Sequence, residues 1–259
     1  MVDDADNLAA RIGQAFEQAG LAQKSLAALL APQTLMNDKQ LAQVATDLTV
    51  PLRFIGADDA LPPQVQCSEN LQLLQAASPE AAQTIGRPRG RLSVIGLGPG
   101  AAEHMTPAVR RALDEAQDLL GYETYVRMAE PLRDDQVRHC SDNREELQRA
   151  RHAFELAASG RRVVVISSGD PGVFAMAAAV LEALEETAAP AEWHAVELQV
   201  LPGVSAALAT AAKAGAPLGH DFCLISLSDN LKPWAVIENR LDHALSLIHI
   251  SEPTRQAEI

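Results

Sequence analysis

A chain of 259 residues, 47% of them hydrophobic, can bury the core of one large domain or two ordinary ones. Acidic side chains outnumber basic ones, 34 to 21, and the formal charge of -13 argues by bulk electrostatics against nucleic acid or an anionic membrane as a partner. Aromatics at 3% leave little for a base-stacking platform, and Cys67, Cys140 and Cys223 are too scattered for a disulfide framework or a zinc site. A cytoplasmic protein without a metal is expected. No run reaches the roughly 18 apolar residues of a membrane span, and Asp3, Asp4 and Asp6 make the amino terminus the reverse of a signal peptide.

In chain order, Leu8, Ile12, Ala15, Phe16 and Ala19 recur at helical spacing, closed by Gly20 as a C-cap. A second helical pattern, 39–48, leads into the strand-like run 51–56, so residues 1–60 read as a small αβ appendage. Pro62-Pro63, Ser78-Pro79 and Arg87-Pro88-Arg89-Gly90 punctuate 61–90, which reads as a linker holding one short helix at 69–77. A βα alternation follows. Strand 92–95, a glycine loop, and a helix 106–116 with Thr106 as N-cap and Pro107 in its first turn come first. A strand at 118–121, a loop or short helix at 122–133 and a long helix at 142–159 come next. Asp142 and Glu145 loosely fit a capping box there.

The apolar run Val163-Val164-Val165-Ile166 then meets Ser167-Ser168-Gly169-Asp170-Pro171-Gly172-Val173-Phe174 and a helix from Ala175: a buried strand, a tight loop and a helix. Strand 197–201, the turn Pro202-Gly203-Val204-Ser205, helix 206–214, strand 221–227 and helix 233–245 complete the pattern. Strands alternating with helices predict an α/β fold with a parallel sheet and flanking helices.

Three glycine loops fall at predicted strand ends: 96–100, 169–172 and 202–203. Together they predict one crevice lined mainly by backbone, where open α/β sheets bind ligands. A dinucleotide site competes for that reading, yet Pro99 interrupts the first loop and its third glycine, Gly100, comes one place early. A phosphate-binding P-loop is excluded, because no Gly-Lys-Ser/Thr follows.

The runs 141–147, 168–176, 215–223 and Ile225-Ser226-Leu227-Ser228-Asp229-Asn230-Leu231-Lys232-Pro233-Trp234 resemble the precorrin-3B C17-methyltransferases, a group of cobalamin-pathway tetrapyrrole methylases. The resemblance covers about 91–245. It implies a class III methyltransferase fold, two α/β domains with S-adenosylmethionine folded between them, and a homodimer when full length. It also implies methylation of precorrin-3B at C17 with contraction of the macrocycle to precorrin-4.

By that resemblance Gly169, Asp170, Pro171, Gly172, Val173, Phe174, Pro202, Gly203, Val204, Ser205, Ala206 and Leu227 hold the cofactor. Gly98, Pro99 and Gly100 lie beside the anionic tetrapyrrole, precorrin-3B, with Arg144 and Lys232 as cations for its carboxylates and Arg138 and His139 nearby. Ring contraction calls for a base. The candidates are Asp142, which also reads as a helix N-cap, Asp229, which also reads as a cap for the helix beginning near Lys232, and His220, which also reads as a turn residue. Trp234 reads either as a platform for the macrocycle or as a core residue.

Beyond Leu245 the resemblance stops, and 246–259 reads as a non-native tail. The expected domains are therefore 91–218, a first methylase domain, and 219–245, the start of a second that is only partly present. Weak or absent cofactor binding by this chain is the matching expectation. Residues 20–60, with Ser25-Leu26-Ala27-Ala28-Leu29 and Leu48-Thr49-Val50-Pro51-Leu52-Arg53-Phe54, distantly resemble the C-terminal domain of the cobalamin-pathway lactone-opening protein. An unrelated appendage, a methylase acting at another ring position and an inactive binding module all stay open at this level.

Overall fold

The computed structural model describes residues 5–68, 71–142, 145–229 and 232–250. Helix α1 (Ala5–Gln18) turns Ile12 and Phe16 inward and ends where the Leu21 N–H donates to the Phe16 carbonyl at 2.9 Å, a helix-terminating bond that relies on Gly20 to reverse the chain. Strand β1 (Leu29–Pro32), absent from the sequence expectation, pairs in parallel with β2 (Leu52–Ile55). Helix α2 (Lys39–Asp47) makes the crossover, capped by Asp38, whose carboxylate accepts from the Gln40 and Leu41 amides at 2.9 and 3.0 Å.

The stretch expected to be a linker is structured. β3 (Gln64–Ser68) and β4 (Leu71–Leu74) form an antiparallel hairpin, and α3 (Pro79–Thr84) begins at Ser78, whose hydroxyl accepts from the Ala81 amide. Where a short helix was expected at 69–77, residues 71–74 are a strand. Leu71 and Leu73, two residues apart, pack on the cluster around Ile12, Phe16 and Val44, and that alternation outweighs helix propensity. Backbone bonds between Phe54 and Arg87 in both directions tie β2 to the end of this stretch. The described residues through Ser205 form one compact unit, and those from Ala206 onward form a second.

The main sheet contains β5 (Arg91–Gly96), β6 (Asp118–Tyr122), β7 (Val137–Ser141), β8 (Arg162–Ser167) and β9 (Glu197–Leu201), in the order β7-β6-β8-β5-β9 and parallel throughout. Helices α4 (Pro107–Glu115) and α5 (Glu123–Met128) cover one face. There Val109, Leu113 and Val126 meet Ile95, Leu119, Val164 and Ile166. Helices α6 (Glu146–Ala158) and α7 (Met176–Glu185) cover the other, where Phe154 stacks on Trp193 at 5.1 Å over Leu92, Val94, Val163 and Val165. Burial on both faces explains why β8 is an unbroken apolar run. The sheet order also departs from the dinucleotide-binding order in which the first strand lies next to the second.

Asp118, at the amino end of β6, is buried and takes hydrogen bonds from Arg161 and from His139 at 2.9 Å. Burial works against its charged form, but those bonds and the two neighbouring charges outweigh it and hold the carboxyl below its usual range. A carboxyl depressed in the fold contributes stability above its ordinary titration point, about 3.9, and loses it as pH falls through the lower folded value. Asp118→Asn is therefore expected to cost about 1–3 kcal/mol in urea unfolding at pH 7, Arg161 being open enough to solvent to re-hydrate. The difference from the parent should shrink steadily below about pH 4. A gap that stays constant down to pH 2–3 would contradict this.

In the second unit, α8 (Ala206–Lys213) and α9 (Trp234–Ile250) are helical. The strand expected at 221–227 is not formed. Among the described residues nothing pairs with it, and without a ladder partner its Phe222, Leu224 and Leu227 stand 50%, 42% and 57% exposed. No described helix is long and apolar enough to cross a membrane.

Candidate functional site

The carboxyl ends of β5, β8 and β9 bring the three glycine loops together. Gly98 and Gly169 exchange backbone hydrogen bonds, N–H to carbonyl at 3.1 and 2.8 Å, so the first two loops are locked as a one-residue antiparallel bridge. Gly169 does this at φ 63°, a conformation that a Cβ would strain. The third loop closes on the same point. A Cβ at Gly203 would run into the Gly169 carbonyl oxygen and lie 2.5 Å from the Gly96 carbonyl oxygen, so only glycine lets the three main chains meet.

Asp170 fastens the junction. One carboxylate oxygen accepts from the Gly172 amide at 2.8 Å, shaping its own loop, and the other accepts from the Gly203 amide at 3.1 Å, reaching the third loop. Pro171 is buried and its carbonyl accepts from the Ala177 amide in the first turn of α7. Phe174 is 64% exposed at φ 53°. A bulky residue left-handed and open to solvent stores backbone strain of about 1–3 kcal/mol, a frequent mark of ligand-binding loops. In the adjoining loops Gly100 and Pro202 are exposed, Pro99 and Val204 partly so, and Ser205 is buried.

A residue the sequence reading passed over also reaches this edge. Arg149, buried on the core face of α6, donates to the Ser141 hydroxyl at 2.9 Å, the Asp142 carbonyl at 2.6 Å and the Met176 sulfur at 3.3 Å. It joins the end of β7 to the start of α7. Burial lowers its pKa, and the nearby Glu146, Glu145 and Asp142 partly offset that. The visible signal was a charge at 149 within the periodic set 149, 150, 153, 154 and 157.

The capping expectation at Asp142 changes accordingly. The N-cap of α6 is Glu145, whose carboxylate accepts from the Asp142 amide at 3.3 Å. Arg144 lies outside the described residues. Arg138 and His139, expected near substrate carboxylates, have other partners: Arg138 pairs with Glu130 at 3.4 Å and His139 with Asp118. His220, Leu227 and Asp229 are exposed residues of the second unit, as is Trp234 at the start of α9; Lys232 and Ala206 belong to that unit too. Two clefts of about 600 Å³ each in the first unit contain no residue of the three loops.

A parallel sheet with a glycine-only junction at its carboxyl edge, latched by one carboxylate, is an α/β domain of the kind whose strand ends carry ligand sites. Residues 91–255 match the tetrapyrrole (corrin/porphyrin) methylases, and the chain belongs to that family. It is 59% identical over 152 residues to a precorrin-3B C(17)-methyltransferase of a Sinorhizobium species, 59% of each chain being covered. Cobalamin biosynthesis protein CobIJ of Mycobacterium tuberculosis is 54% identical over 155 residues, 60% of this chain and 29% of that one. The crystal structure of the methyltransferase CobJ matches with a TM-score of 0.57 and 57% identity over 61% of this chain and 64% of that one. The chain thus spans less than two thirds of the length of these relatives. The family match runs to residue 255, past the Leu245 at which the resemblance was expected to stop.

Proposed function

We propose that this chain carries the cofactor-holding half of an S-adenosylmethionine-dependent methyltransferase that methylates precorrin-3B at C17 with ring contraction to precorrin-4. The observation that supports it most is the meeting of Gly96, Gly169 and Gly203 within a family of tetrapyrrole methylases. Main chains packed so closely that only glycine fits leave backbone groups rather than side chains at the strand ends, a surface suited to a nucleoside cofactor held by backbone groups. When bound, S-adenosylmethionine supplies a methyl group already activated by its sulfonium, so the protein's task is alignment and exclusion of water.

In this reading the loops 169–174 and 202–206 hold the cofactor, Asp170 keeps them in register, and Phe174 closes over the ligand and spends its stored strain there. Gly98, Pro99 and Gly100 face the macrocycle. Lys232 and Arg144 are the proposed cations for its carboxylates, and Leu227 the proposed apolar contact of the cofactor. Among Asp142, His220 and Asp229 as the base for contraction, Asp142 has support from its setting, since Arg149 fixes its backbone at the end of β7. The finer organisation we propose is a cytoplasmic enzyme, dimeric at full length, with the N-terminal βαβ element and the hairpin packed on it as an appendage.

Incubating precorrin-3B with methyl-labelled S-adenosylmethionine and a chain extended to the full length of its relatives tests the reaction. Label at C17 supports the proposal, and label at another ring carbon moves the assignment to a neighbouring methylase. No transfer at all by the extended chain would overturn it.

A further inference from the structure

At the opposite edge of the main sheet, where β5, β8 and β9 begin, a cleft of about 600 Å³ holds an unusual charge. Six residues of β5 separate it from the glycine junction, on the order of 17–20 Å. Arg53, Arg89, Arg91, Arg161 and Arg162 line it against only two carboxylates, Glu115 and Glu197. In a chain whose formal charge is -13, this lining is net positive.

The arginines divide into two sets. Arg91 pairs with Glu197 and Glu115, at 3.2 and 3.4 Å, and Arg161 pairs with Asp118, so those charges are answered. The other three meet neutral acceptors only. Arg53 donates to the Ile85 and Gly86 carbonyls at 2.9 and 2.6 Å, Arg89 to the Ala195 carbonyl and the Asn37 side chain at 2.8 and 3.0 Å, and Arg162 to the Glu115 carbonyl at 2.9 Å. Carbonyl oxygens orient a guanidinium without cancelling its charge. A guanidinium has five N–H donors, and these bonds occupy two on Arg53, two on Arg89 and one on Arg162.

Capping of carbonyls alone would account for one arginine at each chain end. It does not account for three held in place around one cleft with no carboxylate in ion-pair range among the described residues. Burial lowers the pKa of Arg53, the direction expected of a guanidinium that lacks a counter-anion. Fixed, oriented guanidinium forks with spare donors are what multidentate recognition of phosphate or carboxylate groups requires.

We propose that this cleft is a second binding site, distinct from the methyl-transfer site, for a small polyanion bearing two or more phosphate or carboxylate groups. Arg53 belongs to the N-terminal βαβ element, and Arg89 joins that element's Asn37 to the main-sheet side at Ala195. An occupant would therefore bridge the appendage and the methylase domain, giving the appendage a role in ligand-dependent stability.

Calorimetric titration of the 259-residue chain at low salt with inorganic pyrophosphate, and separately with citrate, tests the site. At least one should bind below about 1 mM and weaken as sodium chloride is added. Preference for pyrophosphate identifies a phosphate ligand, and preference for citrate a carboxylate one. Arg162→Gln should weaken binding about tenfold with the melting temperature preserved, Arg162→Lys should lose less, and Arg111→Gln, the same charge change on exposed α4, should lose nothing. Binding of neither probe, or equal losses from Arg162→Gln and Arg111→Gln, would overturn the proposal.

Discussion

Gly203→Ala is expected to break the site and destabilise the domain together. The added methyl would be driven into the Gly169 carbonyl and crowd the Gly96 carbonyl at 2.5 Å, both of them main-chain atoms that cannot rotate away. Relief requires the third loop to back out of the junction, which strains β9 against β5 and pulls the Gly203 amide from Asp170. A cost of about 3 kcal/mol, roughly a 10 °C fall in melting temperature, follows from overpacking of this kind. In a chain extended to the full length of its relatives, binding of S-adenosylhomocysteine, a stable cofactor analogue, should fall below detection. Gly13→Ala is the matched control. Its Cβ, within α1 and away from the loops, would meet only the Gln23 side chain, at 3.7 Å, so it should cost less than about 1 kcal/mol and keep the ligand. Gly90→Ala, whose Cβ would strike the Ala157 backbone far from the loops, should destabilise without a specific effect on ligand.

Asp170→Ala should have the next largest effect, through two amides rather than through sterics. Gly172 and Gly203 would each lose an acceptor, about 1 kcal/mol apiece, and the second and third loops would come apart. Analogue binding should weaken at least about tenfold, because the ligand must then order the loops itself. Asp170→Asn separates the two bonds. Its one amide oxygen can keep the turn to Gly172, while its NH₂ presents a donor to the Gly203 donor, so the turn survives and the latch fails. A loss of about 1 kcal/mol, smaller than that of the Ala variant, with Ala-like loss of binding is the expected outcome. Full binding by Asp170→Asn would show that the latch does not organise the site.

Much of this was legible in the residues. An unbroken apolar run marked β8, and one broken only by Ser93 marked β5, because both faces of a parallel sheet are covered; Thr106-Pro107 marked the start of α4, and the glycines marked the strand ends. That these loops touch was an expectation, and the Gly98–Gly169 bridge meets it. Edge elements were harder. β7 carries Arg138 and His139 and packs little apolar surface, so no periodicity announced it, and the β3–β4 hairpin hid in a stretch that proline made look like linker. The unformed strand at 221–227 fails for the reverse reason, an apolar pattern that finds no partner among the described residues. Long-range polar contacts left the least trace. Nothing local in the sequence tells that Asp170 reaches Gly203, or that Arg149 joins three elements, because each depends on which strands the topology makes neighbours.

The central claim is that three loops make one cofactor surface, and amide chemical-shift mapping of the nitrogen-15-labelled chain during titration with S-adenosylhomocysteine tests it even if affinity is only millimolar. Concerted, saturable shifts are expected at the amides of Gly98, Gly169, Gly172 and Gly203, with the residues around Arg162 unmoved. Shifts confined to other surfaces, or to one loop while the other two stay still, would contradict it.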